Sequence, residues 1–131
     1  MQLAGLHPVV RARAEEAMKW ARLNGFTPTI TSTKRDWATQ ERLYATYQRC
    51  LANGTFGQPG ECRWPANRPG DSAHQFGLAF DSWVPDQFVP VWKEIRQRLG
   101  FRVPDHDVIH GEVPDWRTLR PILLQQGITG R

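Results

Sequence analysis

Long apolar runs are missing from this chain, and nothing in it approaches the roughly 18 consecutive residues that a membrane-spanning helix needs, so stable membrane insertion is not expected. Cysteine is scarce as well. Cys50 and Cys62 flank a Gly/Pro-rich loop, and without a CxxC pair or a third thiol they make a poor zinc site; they remain free thiols or close that loop as a disulfide. The first residues have no charged segment followed by an apolar one, so no secretory signal is expected and the chain reads as a product made in the cytoplasm. Glycine-rich phosphate loops, internal repeats, zinc fingers and aromatic ribonucleoprotein motifs are absent, which argues against a nucleotide enzyme, a solenoid and a nucleic-acid partner.

What is present is an ordinary globular composition with a basic balance. Lys and Arg number 17 against 13 acidic residues, a net charge of +4, which suits either simple solubility or a polyanionic partner such as nucleic acid or an anionic cell wall. Six tryptophans and six phenylalanines provide for a core or groove, and 131 residues make a single domain, 1–131, read as a monomer.

Periodicity places a helix at residues 8–24, with Val10, Ala14, Ala17, Met18 and Ala21 inward and Asn24-Gly25 as its stop. A strand follows at 26–32, then a second helix at 37–52 capped by Asp36, with Leu43, Tyr44, Tyr47 and Leu51 on its apolar face. Residues 54–71 form an irregular loop long enough to shape a cleft. Next come a strand through Leu78–Trp83, a core helix at 87–99, short strands at 101–103 and 108–112, and a terminal helix that Pro121 should break or kink.

The chemistry concentrates in two segments. Ser72-Ala73-His74-Gln75-Phe76-Gly77-Leu78-Ala79-Phe80-Asp81 brings a histidine and an aspartate together, and imidazole and carboxylate are both good zinc ligands; a catalytic zinc needs three protein ligands and one open position. Residues seven apart on a regular strand face opposite ways, so His74 and Asp81 can meet only if the chain bends between them, and Gly77 permits the bend. The third ligand is sought in Asp105-His106-Asp107-Val108-Ile109-His110-Gly111-Glu112, where His106 or His110 can serve and Asp105, Asp107 or Glu112 can act as base.

Ser-x-His-x-x-Gly-x-Ala-x-Asp followed by Asp-x-x-His resembles the signature of the zinc peptidases that cut peptidoglycan stem peptides, the D-alanyl-D-alanine carboxypeptidases and the L-alanyl-D-glutamate endopeptidases of phage lysins. The resemblance spans roughly residues 27–112 and includes Ser32-Thr33-Lys34-Arg35 with Gln40. It implies an α+β fold of the hedgehog/DD-peptidase type, a small antiparallel sheet with helices on one face and a zinc cleft on the other. It further implies Zn²⁺ held by His74, Asp81 and His110, with Asp107 as general base and Arg35 sharing the developing oxyanion. Arg35, Gln40 and Ser72 are then the substrate-binding residues, with Ser72 also orienting the site. Many members carry Glu where this chain has Asp107; the side chain here is one methylene shorter, so its backbone should lie closer to the metal or the residue should act through another water.

The implied function is hydrolysis of the L-alanyl-D-glutamate bond of a peptidoglycan stem peptide by a phage-type endolysin, reaching the wall after release or delivery. The alternatives are a D,D- or L,D-carboxypeptidase of the same family, a non-catalytic zinc-containing module that binds wall or protein, and a small basic nucleic-acid-binding protein.

Overall fold

The computed structural model describes residues 2–127 apart from His106; that residue, the alternative third ligand, lies outside the described residues, as does the segment 128–131. The described elements are, in order, α1 (Pro8–Leu23), β1 (Thr29–Ser32), α2 (Trp37–Ala52), β2 (Ala79–Trp83), α3 (Val89–Arg98), β3 (His110–Glu112) and α4 (Trp116–Gln125), with 3-10 turns at Gln2–Gly5, Ala73–Phe76 and Asp86–Phe88. None of these helices is long and apolar enough to cross a membrane.

The strands form one antiparallel sheet in the order β1-β2-β3, giving the expected α+β architecture. Helix α1 begins where His7 Nδ1 accepts the Val9 N–H at 3.4 Å, with Pro8 in the first turn, where a missing N–H costs little. Its small residues Ala14, Ala17 and Ala21 are fully buried, which lets α1 pack closely on α3. Ile30 and Phe80 join them in the core, and Phe26 stacks on Phe88 at 4.7 Å and meets Trp92 edge-on at 6.2 Å. Burying each such aromatic contributes about 1.5–3 kcal/mol of transfer free energy.

Strand β2 is central, and its register sets the site. Asp81 lies opposite His110 on β3 and opposite Ser32 on β1, where the pairing is irregular between Ile30 and Ser32. Trp83, expected to anchor Asp81 in the core, is exposed instead. Side chains alternate along a strand, so Trp83 shares the face of Asp81, while Phe80 and Ser82 face the helices. Ser82 accepts a 2.8 Å hydrogen bond from the Trp92 indole there.

Helix α2 differs most from expectation. Asp36 caps it as foreseen, accepting the Thr39 N–H at 2.7 Å, but Leu43 and Leu51 are 39% and 47% exposed and its buried residues are Gln40 and Cys50. The helix leans on the following loop rather than on the sheet. Cys50 and Cys62 are joined as a disulfide with Cα atoms 5.5 Å apart, and Tyr47 meets Phe56 edge-on at 5.4 Å. Helix and loop together form one wall of the cleft.

The bend between His74 and Asp81 is a 3-10 turn, Ala73–Phe76, closed by Gly77 in the left-handed region at φ 71°. A Cβ at Gly77 would sit 2.7 Å from the His7 nitrogen, which donates to the Gly77 carbonyl at 3.0 Å. Gly77→Ala therefore combines backbone strain with a clash against main chain, and should cost about 2 kcal/mol or more. A thermal melt within a degree of wild type would contradict this.

The second half of the chain is less regular than its sequence implies. The strand expected at 101–103 is a single bridge between Arg102 and Glu112, and the strand expected at 108–112 is shortened to His110–Glu112. Before it the chain turns, with the Asp107 N–H donating to Pro104 O at 3.2 Å and the His110 N–H to Asp107 O at 3.1 Å. Pro121 does not end α4, which continues through it to Gln125, although the proline leaves the Arg117 carbonyl without its helical donor.

Candidate active site

His74, Asp81 and His110 arrive from three elements at one point: the 3-10 turn, the middle of the central strand, and the first residue of β3. One donor atom from each lies within 4.8 Å of the other two. His74 is buried, at 2% exposure; its Nδ1 lies 2.6 Å from the Thr33 carbonyl and its Nε2 3.2 Å from Asp81 Oδ1. A carbonyl can only accept, so the Thr33 contact fixes a proton on Nδ1 and turns Nε2 toward Asp81.

His110 is fixed in the opposite sense. Its Nε2 lies 2.7 Å from Glu112 Oε1 and its Nδ1 3.0 Å from the same Asp81 oxygen that faces His74. Two imidazole nitrogens and a carboxylate oxygen thus crowd one position, an arrangement that calls for a cation among them. Burial alone would lower the His110 pKa, but the hydrogen bonds to Asp81 and Glu112 outweigh it and raise it to about 9. Burial alone would raise the Asp81 pKa, and the bonds from His110 and His74 instead hold it well below the usual carboxylate range.

The other Asp81 oxygen accepts from Arg35 Nη2 at 3.1 Å, and Arg35 Nη1 donates to Gln40 Oε1 at 3.3 Å. Gln40 also donates from Nε2 to the Asn67 carbonyl at 2.8 Å. Each end of its buried amide makes one of these contacts, so Gln40 ties Arg35 to the loop at the edge of the cleft. Ser72, buried, precedes the 3-10 turn, and its carbonyl accepts the Gln75 N–H at 3.1 Å.

These residues line a cleft of about 540 Å³ together with Asp107, Leu43, Trp64, Arg102 and Arg117. The remaining carboxylate candidates both carry partners, and Glu112 lines this same cleft. Asp105 is 92% exposed and paired with Lys93, while Glu112 is committed to His110 and Arg102. Two participants escaped sequence reasoning: the Thr33 carbonyl, which no side-chain pattern signals, and Arg96, discussed below.

A carboxylate between two imidazoles, with a guanidinium and a second carboxylate on the same cleft, is the side-chain set of a mononuclear metallohydrolase. A family model described as VanY, D-alanyl-D-alanine carboxypeptidase, matches residues 4–99, and the chain belongs to that family of peptidases. The matched span contains Arg35, His74 and Asp81 and ends before Asp107 and His110.

No curated protein matches the chain by sequence. Among solved structures, the vancomycin resistance D,D-pentapeptidase VanY from the VanB-type resistance cassette, crystallised as a variant in complex with Zn(II), has a TM-score of 0.64 at 20% identity, covering 95% of this chain and 81% of its own. The LD-carboxypeptidase LdcB has a TM-score of 0.59 at 23% identity, covering 95% and 73%. An L,D-carboxypeptidase DacB from Streptococcus pneumonia has a TM-score of 0.59 at 22% identity, with the same two coverages of 95% and 73%. At these identities the structures establish the shared fold.

Proposed function

We propose that this chain is a zinc peptidase that hydrolyses an amide of the peptidoglycan stem peptide, the L-alanyl-D-glutamate bond, as a phage-type endolysin. The observation that carries the peptidase reading is the convergence of His74 Nε2, Asp81 Oδ1 and His110 Nδ1 on one position at the cleft that also holds Arg35 and Asp107. The donor set fits Zn²⁺, because both imidazoles are oriented by outer partners, Thr33 and Glu112, so that their inner nitrogens face Asp81. When bound there, Zn²⁺ supplies Lewis acidity, which acidifies water and polarises an amide carbonyl near neutral pH.

The chain's own residues supply the rest. Asp107 takes a proton from the attacking water and returns it to the leaving amine. Arg35, aligned by Gln40 and Asp81, donates to the oxygen that gains charge at the scissile carbonyl. Glu112 keeps the His110 ring in register. Glu112→Gln should weaken zinc affinity about 10–100-fold with the fold intact, read by titration of metal-free protein; unchanged affinity would remove Glu112 from the site.

The choice of bond rests on the lysin-like signature, and the cleft holds three guanidinium groups, Arg35, Arg102 and Arg117, of the kind that suits the free carboxylate D-glutamate carries beside the scissile amide. The family match favours a second reading, a D-alanyl-D-alanine carboxypeptidase. Three defined substrates separate them, a muramyl stem peptide ending before D-alanine, a tetrapeptide ending in a single D-Ala and a pentapeptide ending in D-Ala-D-Ala. Mass spectrometry should show cleavage after L-Ala in all three and no release of terminal D-Ala. Release of D-Ala alone would establish the carboxypeptidase, and no product from zinc-loaded protein would leave a binding module. The Cys50–Cys62 disulfide accords with action outside the reducing cytoplasm, on the wall after release or delivery.

A further inference from the structure

Helix α3 carries a charged residue on its inner face. Arg96 is fully buried, beside Trp92 and Ile95 in the core, with its guanidinium 5.1 Å from the Trp92 ring centroid. A guanidinium placed there is strongly disfavoured unless its donors are satisfied. Its acceptors are the informative feature. Nη2 donates to Val108 O at 2.7 Å, Nη1 lies 3.4 Å from both Ile109 O and His110 O, and Nε donates to Trp92 O at 3.3 Å.

Three of these four acceptors are successive carbonyls of the segment that joins Asp107 to His110. That segment has little regular structure of its own. Its turn is closed by the His110 N–H on Asp107 O at 3.1 Å, and β2 grips it through the Ser82 N–H on Ile109 O at 2.9 Å. The carbonyl row faces the core and Arg96, whereas the Asp107 and His110 side chains face the cleft.

We propose that Arg96 is a positioning residue for the reaction, holding the 108–110 backbone by its carbonyls so that Asp107 and His110 present to the same point. The proposal rests on the roles given above to Asp107 and His110. Only arginine offers a planar fork that can span consecutive carbonyls; lysine keeps the charge but not the span. Burial pushes the Arg96 pKa down to about 10 against the pull of Asp81 and Asp107, so the group stays charged at neutral pH.

The test compares Arg96→Lys and Arg96→Met with Phe26→Leu, a change in the same core that removes the stacking on Phe88 and leaves the Trp92 ring beside Arg96 in place. Each variant is read by thermal melting, Zn²⁺ titration of the metal-free protein, amide exchange across 107–111, and kcat and KM on a stem peptide. For Arg96→Lys the expected result is at least tenfold weaker zinc binding, at least tenfold lower kcat with KM within twofold of wild type, and lost exchange protection confined to 107–111. Phe26→Leu should lower the melting temperature while leaving zinc affinity and kcat near wild type. An Arg96→Lys protein that melts lower yet binds zinc, turns over and exchanges like wild type would overturn the proposal, and that variant decides if Arg96→Met fails to fold. If the wild type itself takes up no zinc, the reading of the site fails, and exchange across 107–111 still decides whether Arg96 holds the loop.

Discussion

Asp107→Asn is expected to lower kcat on a stem peptide by about 10²–10⁴-fold while KM and zinc uptake stay close to wild type. The substitution keeps the size and polarity of the side chain and removes only its ability to accept and return a proton. Asp107 sits three residues before His110 in a turn closed by its own carbonyl, so the base and the third proposed ligand are placed by the same few hydrogen bonds. Its side chain, one methylene shorter than glutamate, lines the cleft from a turn rather than from an extended strand. Its competitors are placed differently: Asp105 is exposed and paired with Lys93, and Glu112 lines the same cleft but is hydrogen-bonded to His110. Wild-type turnover in Asp107→Asn would remove general-base catalysis by this residue; loss of zinc along with activity would assign it a structural role.

Zinc affinity is expected to rise about tenfold per pH unit between about pH 6.5 and 9, and zinc uptake at pH 7 to release about one proton. The cause is His110. Its raised pKa of about 9 in the metal-free protein reflects a favourable interaction of the protonated ring with Asp81 and Glu112, after the opposing effect of burial. That stabilisation is fully present below about pH 6.5, the ordinary histidine value, and is lost as pH rises through about 9. Zinc needs the bare nitrogen and so competes with this proton. Asp81 behaves conversely: its depressed pKa contributes stability above about pH 3.9 that is lost as pH falls through the lowered value. The metal-free protein should therefore melt progressively lower from pH 6.5 to 9, and the stabilisation by zinc should grow over the same interval. Calorimetric titration in two buffers of different ionisation enthalpy measures the proton release directly, and affinity constant across this range would show that His110 is not the group displaced.

Much of this arrangement was legible in the sequence where local chemistry decides it. The limits of α1 and α2 followed from Pro8, Asp36, Asn24 and Asn53, because caps act within a single turn. The need for a bend at Gly77 followed from strand geometry, and the bend proved to be a 3-10 turn. What stayed hidden was set by tertiary packing. The stripe on α2 looked like a core face, yet Leu43 borders the cleft, because a disulfide and a loop anchor that helix. The irregular backbone before β3 was hidden as well, because Arg96 meets the 108–110 carbonyls only once α3 has packed beneath them. One signal for Arg96 was available: it lies four residues after Trp92, on the stripe that Trp92 and Ile95 bury, where a charge without a partner would not persist.

X-ray absorption at the zinc edge, on protein loaded with one equivalent of Zn²⁺ and passed through a desalting column, tests the account's central claim most directly. The account predicts retained, stoichiometric zinc with nitrogen and oxygen donors at about 2.0–2.2 Å, the scattering of two imidazoles, and no sulfur. That pattern should collapse to a single imidazole or to unbound metal in His110→Ala. Zinc that washes off the wild type, a sulfur donor near about 2.3 Å, or an unchanged spectrum in His110→Ala would contradict a site built from His74, Asp81 and His110.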